Sequence, residues 1–150
     1  MSVTIRALRI STALCLAATM AGCSSFQKEW ERTAGAAPSP QGIGGRWAGR
    51  WQSEKNQHNG ELRCIVHELT NGLYSARFHA RYKLVFPMTY GYTVILGAKA
   101  REDGFDFQGS ANLGWYAGGR YEYKGQSSAT NFHSTYSSKY DHGYFQMTRP

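Results

Sequence analysis

The side chains best suited to chemistry in this sequence are few and scattered. His58, Asp141 and His142 are residue types that ligate metals or move protons, and His67 and His79 would add to them if folding brought them together. The strand pairing derived below sets His67 opposite Ser75, four residues and roughly 13 Å from His79, too far for one metal to bridge. Asp141-His142-Gly143 is also what a tight turn requires without any chemistry. Cys64 adjoins neither a helix start nor a histidine that would lower its thiol pKa, and it reads as a small buried hydrophobe. The stretch Leu113-Gly114-Trp115-Tyr116-Ala117-Gly118-Gly119 lacks the Lys-Ser/Thr of a phosphate loop and opens no helix. No nucleophile elbow, carboxylate pair in context or Cys/His cluster is present. The expectation is therefore a protein without catalytic residues, metal ligands or a cofactor, and not an enzyme.

Composition sets the frame for these residues. The chain has 150 residues, 14% aromatic and 18% charged, with 17 glycines and a formal net charge of +7, which excludes a disordered chain. Arg6 and Arg9 form a positive start, Ile10 to Met20 is an uncharged apolar run of 11 residues, and Met20-Ala21-Gly22-Cys23 closes it with small residues before a cysteine. The run is too short to span a bilayer comfortably. The segment resembles the bacterial lipoprotein signal, the lipobox, with Met20 where Leu is usual. The resemblance implies that residues 1–22 are a cleaved signal peptide and that Cys23 is acylated, palmitate included, as the first mature residue. It further implies a membrane partner through that lipid. Ser24, in place of the Asp that holds such proteins at the inner membrane, points to the outer membrane and the periplasm. Two or three acyl chains at ~0.8 kcal/mol per buried CH₂ would make that attachment permanent. Arg6 and Arg9 leave with the signal, so 17 basic residues fall to 15 against 10 acidic ones, a mildly basic mature chain. Nucleic acid is not an expected partner in this compartment. Cys15 leaves as well, and Cys64 stands alone in the mature domain, without an intramolecular disulfide.

Residues 23–44 read as a lipidated tether. Ser24 to Arg32 is polar with Phe26 and Trp30 four apart, and Thr33 to Gly44 is small, uncharged and interrupted by Pro and Gly. From Gly45 the pattern changes to period two and keeps it to the end, defining one domain over 45–150. In Leu73 to Tyr82 one face reads Tyr74, Ala76, Phe78, Ala80, Tyr82 and the other Ser75, Arg77, His79, Arg81. The remaining apolar sets are Trp47, Trp51; Leu62, Cys64, Val66; Tyr90, Tyr92, Val94, Leu96; Phe105, Phe107; Tyr121, Tyr123; Phe132, Tyr136; and Phe145, Met147, giving eight strands.

Turn chemistry fixes the register, because residues paired across a hairpin share a face. A loop Thr70-Asn71-Gly72 pairs Val66 with Ala76, Cys64 with Phe78 and Glu61 with Arg81. A loop Arg101 to Gly104 pairs Ala100 with Phe105 and Ala98 with Phe107. A loop Tyr140 to Gly143 sets Tyr136 against Met147 and Ser134 against Arg149. Eight hairpin-joined strands with one apolar face each are most economically closed as an all-β, eight-stranded antiparallel up-and-down barrel, with a two-sheet sandwich as the alternative. The polar face alternates Arg, His, Glu and Ser, and a lipid anchor would be redundant on a membrane-spanning barrel, so the apolar face points inward.

Gly45-Arg46-Trp47 at the start of the first strand resembles the G-x-W that opens lipocalin and other calycin barrels, and Arg149 matches the arginine that crosses that tryptophan. The resemblance implies that Gly45, Trp47 and Arg149 plug one end, with the cation against the indole face. The chain also resembles small envelope lipoproteins of environmental bacteria, a likeness of location and shape that implies no activity. The opposite end would be a mouth built from Ser53 to Asn59, Lys83 to Met88, Asn112 to Gly119 and Tyr140 to Gly143. An interior of Trp51, Tyr82, Tyr90 and Tyr136 and a mouth of Phe86, Trp115, Tyr116 and Tyr140 would accept a small hydrophobic or aromatic ligand. The competing reading is an envelope structural or interaction protein with a filled barrel and no ligand, meeting anionic lipid or polymer through Arg46, Arg50, Arg63, Arg77 and Arg81 on its outer face.

Overall fold

The computed structural model describes residues 25–36, 42–83 and 86–150. The eight strands are β1 (Gly45–Ser53), β2 (Asn59–Thr70), β3 (Leu73–Lys83), β4 (Pro87–Arg101), β5 (Gly104–Asn112), β6 (Arg120–Ser127), β7 (Asn131–Ser137) and β8 (His142–Thr148). Each pairs antiparallel with its sequence neighbour and β1 pairs with β8, so the sheet closes into an up-and-down barrel without an edge.

The expected register holds for two of the three hairpins. Val66 faces Ala76 and Cys64 faces Phe78, while Ala100 faces Phe105 and Ala98 faces Phe107. Arg81 and Glu61 meet at 3.2 Å. The β2–β3 turn itself is tighter than expected: Asn71 and Gly72 both take left-handed backbone, at φ 43° and 80°, and a register shift between Glu68 and Thr70 absorbs the extra residue. Two successive positive φ values make the turn that matches strand twist, which is why Asn-Gly stands there.

The third hairpin departs from expectation. Tyr136 pairs with Gly143, and Met147 with Phe132, while Ser134 pairs with Phe145. The turn closes at Ser138 to Asp141, where the Ser138 amide donates to Asp141 O at 2.7 Å and the Ser138 hydroxyl accepts from the amides of Tyr140 and Asp141 at 3.2 and 3.1 Å. That hydroxyl captures the turn early, so His142 and Gly143 join β8. The slip is an even number of residues, and the same side chains remain inward.

Trp47, Val66, Val94, Leu96, Phe107, Phe132 and Met147 fill the end of the barrel where β1 begins, all buried. Trp47 packs on Phe132 at 5.4 Å, and Phe132 on Phe107 at 4.7 Å. Arg149 lies over the Trp47 ring at 3.7 Å and donates to the carbonyls of Gly42, Gly44 and Arg46. Gly45 has φ 102°, and a side chain there would meet the Arg149 guanidinium at 2.9 Å. The indole nitrogen of Trp47 donates to Ile43 O at 2.8 Å, which ties the incoming chain to the plug.

Part of the segment expected to be a bare tether is a helix, α1, over residues 25–34, docked on the outside of β1–β3. Phe26 and Trp30, one turn apart, bury themselves against Ile65 and Ala48. Ile65 is an outward position of β2, yet it is fully buried beneath the helix. Three of the five outer arginines expected to meet anionic lipid or polymer, Arg46, Arg63 and Arg77, are engaged by the helix. Arg46 lies over Trp30, Arg63 over both rings, and Arg77 binds the Glu29 carboxylate and the Ser25 hydroxyl. His67 meets Glu29 at 2.9 Å, and the His79 ring stacks on Phe26 at 4.8 Å. Burial, then Arg63, Arg81 and Arg77, push the His79 imidazole below its ordinary value. Ten residues would make a marginal helix in water; tertiary contacts make this one. The expected signal peptide, residues 1–22, and Cys23 lie outside the described residues.

Candidate functional site

At the end opposite the plug the barrel is hollow. A cavity of about 470 Å³ opens between the β1–β2, β3–β4, β5–β6 and β7–β8 connections. The odd positions of β1 and the even positions of β3 and β4 bring Trp51, Ala80, Tyr82, Tyr90 and Tyr92 to its wall, while β6, β7 and β8 supply Tyr121, Tyr123, Tyr136 and Phe145. With Tyr116 from the β5–β6 connection, seven tyrosines share one space. Phe78, stacked on Tyr92 at 5.2 Å and against Phe145 at 5.4 Å, separates it from the packed end below.

Burial pushes the Tyr82, Tyr92, Tyr123 and Tyr136 phenols above their ordinary range. The Asp141 carboxylate adds to the effect at Tyr136, whose hydroxyl donates to it at 3.2 Å. Tyr90 is raised to about 12, by burial and then by its hydrogen bond with Tyr116. Its hydroxyl also donates to Leu113 O at 3.2 Å, tying β4 to the β5–β6 connection. The wall therefore offers aromatic faces and phenolic hydrogen bonds at neutral pH, a chemistry suited to an uncharged ring-bearing or lipid-like molecule.

Of the ligand-contacting residues expected from sequence, Trp51, Tyr82, Tyr90, Tyr116 and Tyr136 line the cavity. Phe86, Trp115 and Tyr140 instead stand outward on the rim, 76%, 91% and 56% exposed. Tyr92, Tyr121, Tyr123, Leu62 and Phe145 are cavity residues that the sequence places only on strand faces. Their parity already showed them inward; what was needed was their height above the plug, which depends on register.

The candidate acid–base group partly assembles. His58 and Asp141 both border the cavity, but His142 does not. The Asp141 carboxylate is engaged by the Ser53 hydroxyl at 2.6 Å, the His142 amide at 2.9 Å and Tyr136. Ser53, fully buried, also accepts from the amides of Lys55 and Asn56. The network joins the β1–β2 turn to the β7–β8 turn across the barrel seam, a structural task that accounts for the carboxylate. Among the described residues, no three or more His, Cys, Asp or Glu side chains gather as a metal site. Cys64 is fully buried, and burial pushes its thiol well above the ordinary value.

Fold and site together define a closed antiparallel barrel plugged at one end and open to an aromatic cavity at the other. Comparison with known protein families, curated proteins and solved structures finds no match to this chain.

Proposed function

We propose that this chain is a lipid-anchored protein of the cell envelope, held at the outer membrane through Cys23 and facing the periplasm, whose barrel binds one small hydrophobic or aromatic molecule. The observation that carries the ligand reading is the cavity of about 470 Å³ walled by Trp51 and seven tyrosines. That volume lies within the range of small-molecule sites, ≈ 300–1,000 Å³. The Trp47–Arg149 stack supports a calycin-like barrel, in which one end is plugged and the other receives ligand. The segment from Arg6 to Cys23 supports the anchor.

The test is native mass spectrometry of the mature protein, released gently from the envelope of its own host. The expected result is a reproducible extra mass beyond any lipid on Cys23, lost in Tyr92→Ala or Tyr82→Ala variants whose circular dichroism is unchanged. A bare protein mass, together with no saturable signal from an environment-sensitive hydrophobic dye, would overturn the ligand reading and favour a structural role in the envelope.

A further inference from the structure

We infer that the barrel's mouth docks on an anionic phospholipid bilayer, with Phe86, Met88, Trp115 and Tyr116 seated in the headgroup region. Three observations carry this. The four side chains are 76%, 59%, 91% and 71% exposed. Phe86 belongs to the β3–β4 connection, Met88 to the start of β4, and Trp115 and Tyr116 to the β5–β6 connection, and the Tyr90 to Leu113 hydrogen bond brings these segments together on one sector of the rim. At the plugged end the large exposed apolar residues are Leu69 and Leu73, neither of them aromatic.

Trp115 is not exposed for want of local structure. It begins a short 3-10 turn, Trp115–Ala117, framed by Gly114, Gly118 and Gly119 with positive φ. The Leu113 and Gly119 amides donate to Gly119 O and Gly114 O, both at 2.9 Å, and Asn112 accepts the Gly114 amide at 3.0 Å. A hydrogen-bonded loop thus presents a tryptophan to the outside, edge-on to Tyr116. Tryptophan and tyrosine are the residues that membrane interfaces favour, because one end of each ring is apolar and the other polar. Lys83 precedes the first loop, and Lys55 and Lys139 flank Tyr140, bound to its carbonyl oxygen and placed over its ring. Neither aromatic loop holds an acidic residue between Lys83 and Met88 or between Asn112 and Gly119. The turns of Lys55 and Lys139 also hold Glu54 and Asp141, the latter bound by Ser53 and Tyr136, so Lys83, beside the acid-free aromatic loop, is the cation that complements anionic headgroups most directly.

The direction of α1 is an independent observation. Residues 32–36 lie beside Gly44, Gly45 and Arg149 at the plug, Glu29 meets His67 and Arg77, and Phe26 lies on His79. The helix start therefore points along β3 toward the mouth, on the strand that leads into Phe86. Cys23 is two residues before Ser25, a reach of at most about 7 Å, and His79 stands ~13 Å short of Lys83. An anchor at Cys23, which rests on the reading proposed above, would bring that side of the rim to the bilayer and let ligand pass between membrane and cavity without crossing water.

Trp115 reports on the contact. The other three of the four tryptophans, Trp30, Trp47 and Trp51, are buried. The mature protein is reconstituted in phosphatidylglycerol and phosphatidylethanolamine vesicles that contain brominated lipid, after its intact mass has been read for lipid on Cys23. The expected result is a loss of up to about a quarter of the tryptophan emission, one ring of four, absent in Trp115→Ala. Docking is overturned if bromolipid leaves the emission unchanged and aqueous iodide still quenches Trp115. It is equally overturned if Trp115 is shielded from both quenchers and cross-linking returns a dimer, since a second copy then covers the rim. If the mass shows no lipid, the anchor reading fails and the same quenching is measured with the chain added to preformed vesicles. Quenching there sustains docking, and its absence overturns it.

Discussion

Trp30→Ala should undock α1 while leaving the barrel folded. Trp30 is 8% exposed and shares a cluster with Phe26 and Ile65 that is separate from the barrel interior. A tryptophan buries on the order of 200 Å², which at ~25 cal/mol per Å² amounts to about 5 kcal/mol, close to the upper end of measured Trp→Ala losses of about 3–5 kcal/mol. Arg46 and Arg63 lose their ring partner as well. A helix of ten residues with two apolar anchors has little left to hold it once one is removed. The assay is hydrogen exchange read by mass spectrometry, peptide by peptide. Amides of residues 25–34 should lose their protection while the strands stay protected, and the denaturation midpoint of the barrel should fall by no more than the docking free energy of the helix. Ile65 supplies the control. Its burial depends on the helix, so Ile65→Thr should cost about 1.5–3 kcal/mol in the natural chain and less than about 0.5 kcal/mol in the Trp30→Ala background, where residue 65 already faces water. Helix amides that stay protected in Trp30→Ala, or strands that lose protection together with the helix, would refute the separation of the two clusters.

Arg149→Ala should destabilise the barrel by about 2–4 kcal/mol in urea unfolding, because it removes a cation–π contact worth up to about 2 kcal/mol and several charge-assisted bonds to carbonyls. Arg149→Lys should recover the charge but not the fork, and fall between the two. Cys64 should resist thiol reagents in the folded protein and react at the rate of unfolding, as followed with a chromogenic disulfide. Burial opposes ionisation of Glu29, but hydrogen bonds from His67 and Arg77 outweigh it and hold the carboxyl below its usual value. Its contribution is therefore complete above 4.5 and lost as pH falls through the lowered folded value, whereas lowered His79 begins to cost stability already below 6.5. Exchange of the α1 amides against pH should show both limbs, and Glu29→Gln should remove the lower one. The raised cavity tyrosines work in the other direction: their stabilisation is full below pH 10 and declines above it, through about 12 for Tyr90. Tyrosinate absorbance from Tyr82, Tyr92 and Tyr123 should therefore rise together with the loss of near-ultraviolet circular dichroism.

The barrel was legible because period two, apolar parity and two turn sequences agree with one another, and a closed sheet leaves few other ways to pair eight such strands. The β7–β8 register was not, since Asp-His-Gly and a serine three residues earlier both compete for the turn, and only the Ser138 hydroxyl's capture of two amides decides it. The docked helix was hidden for a related reason. Residues 25–34 have weak intrinsic helicity, and their signal lies elsewhere in the chain: Ile65 is a large apolar residue flanked on its face by Arg63, His67 and Arg77. Read with Phe26 and Trp30 at helical spacing, that break in alternation marks a covered patch. The cavity wall was half legible, because parity says which side chains point inward, but only register says how high each one sits.

Height also explains why one barrel is packed at one end and hollow at the other. Around the plug the inward positions include Trp47, Val66, Val94, Leu96, Phe107, Phe132 and Met147, which close over one another, and the small hydroxyl of Ser127 is buried beside them without a hydrogen-bond partner. Past Phe78 the same positions become Tyr82, Tyr90, Tyr92, Tyr121, Tyr123 and Tyr136, interleaved with Ala80. A tyrosine ring packs like phenylalanine, but its hydroxyl must be hydrogen-bonded or hydrated when buried. Tyr136 reaches Asp141, Tyr90 reaches Leu113 O, and Tyr92 and Tyr123 engage each other. Two of these bonds tie hydroxyls to the rim turns and one ties two rings to each other, and alanine at position 80 does not refill the space between them. A dry core of phenylalanines at these positions would be the cheaper way to stabilise a barrel. The hydroxyls are worth their desolvation if the space they surround is meant to be occupied by something other than the chain itself.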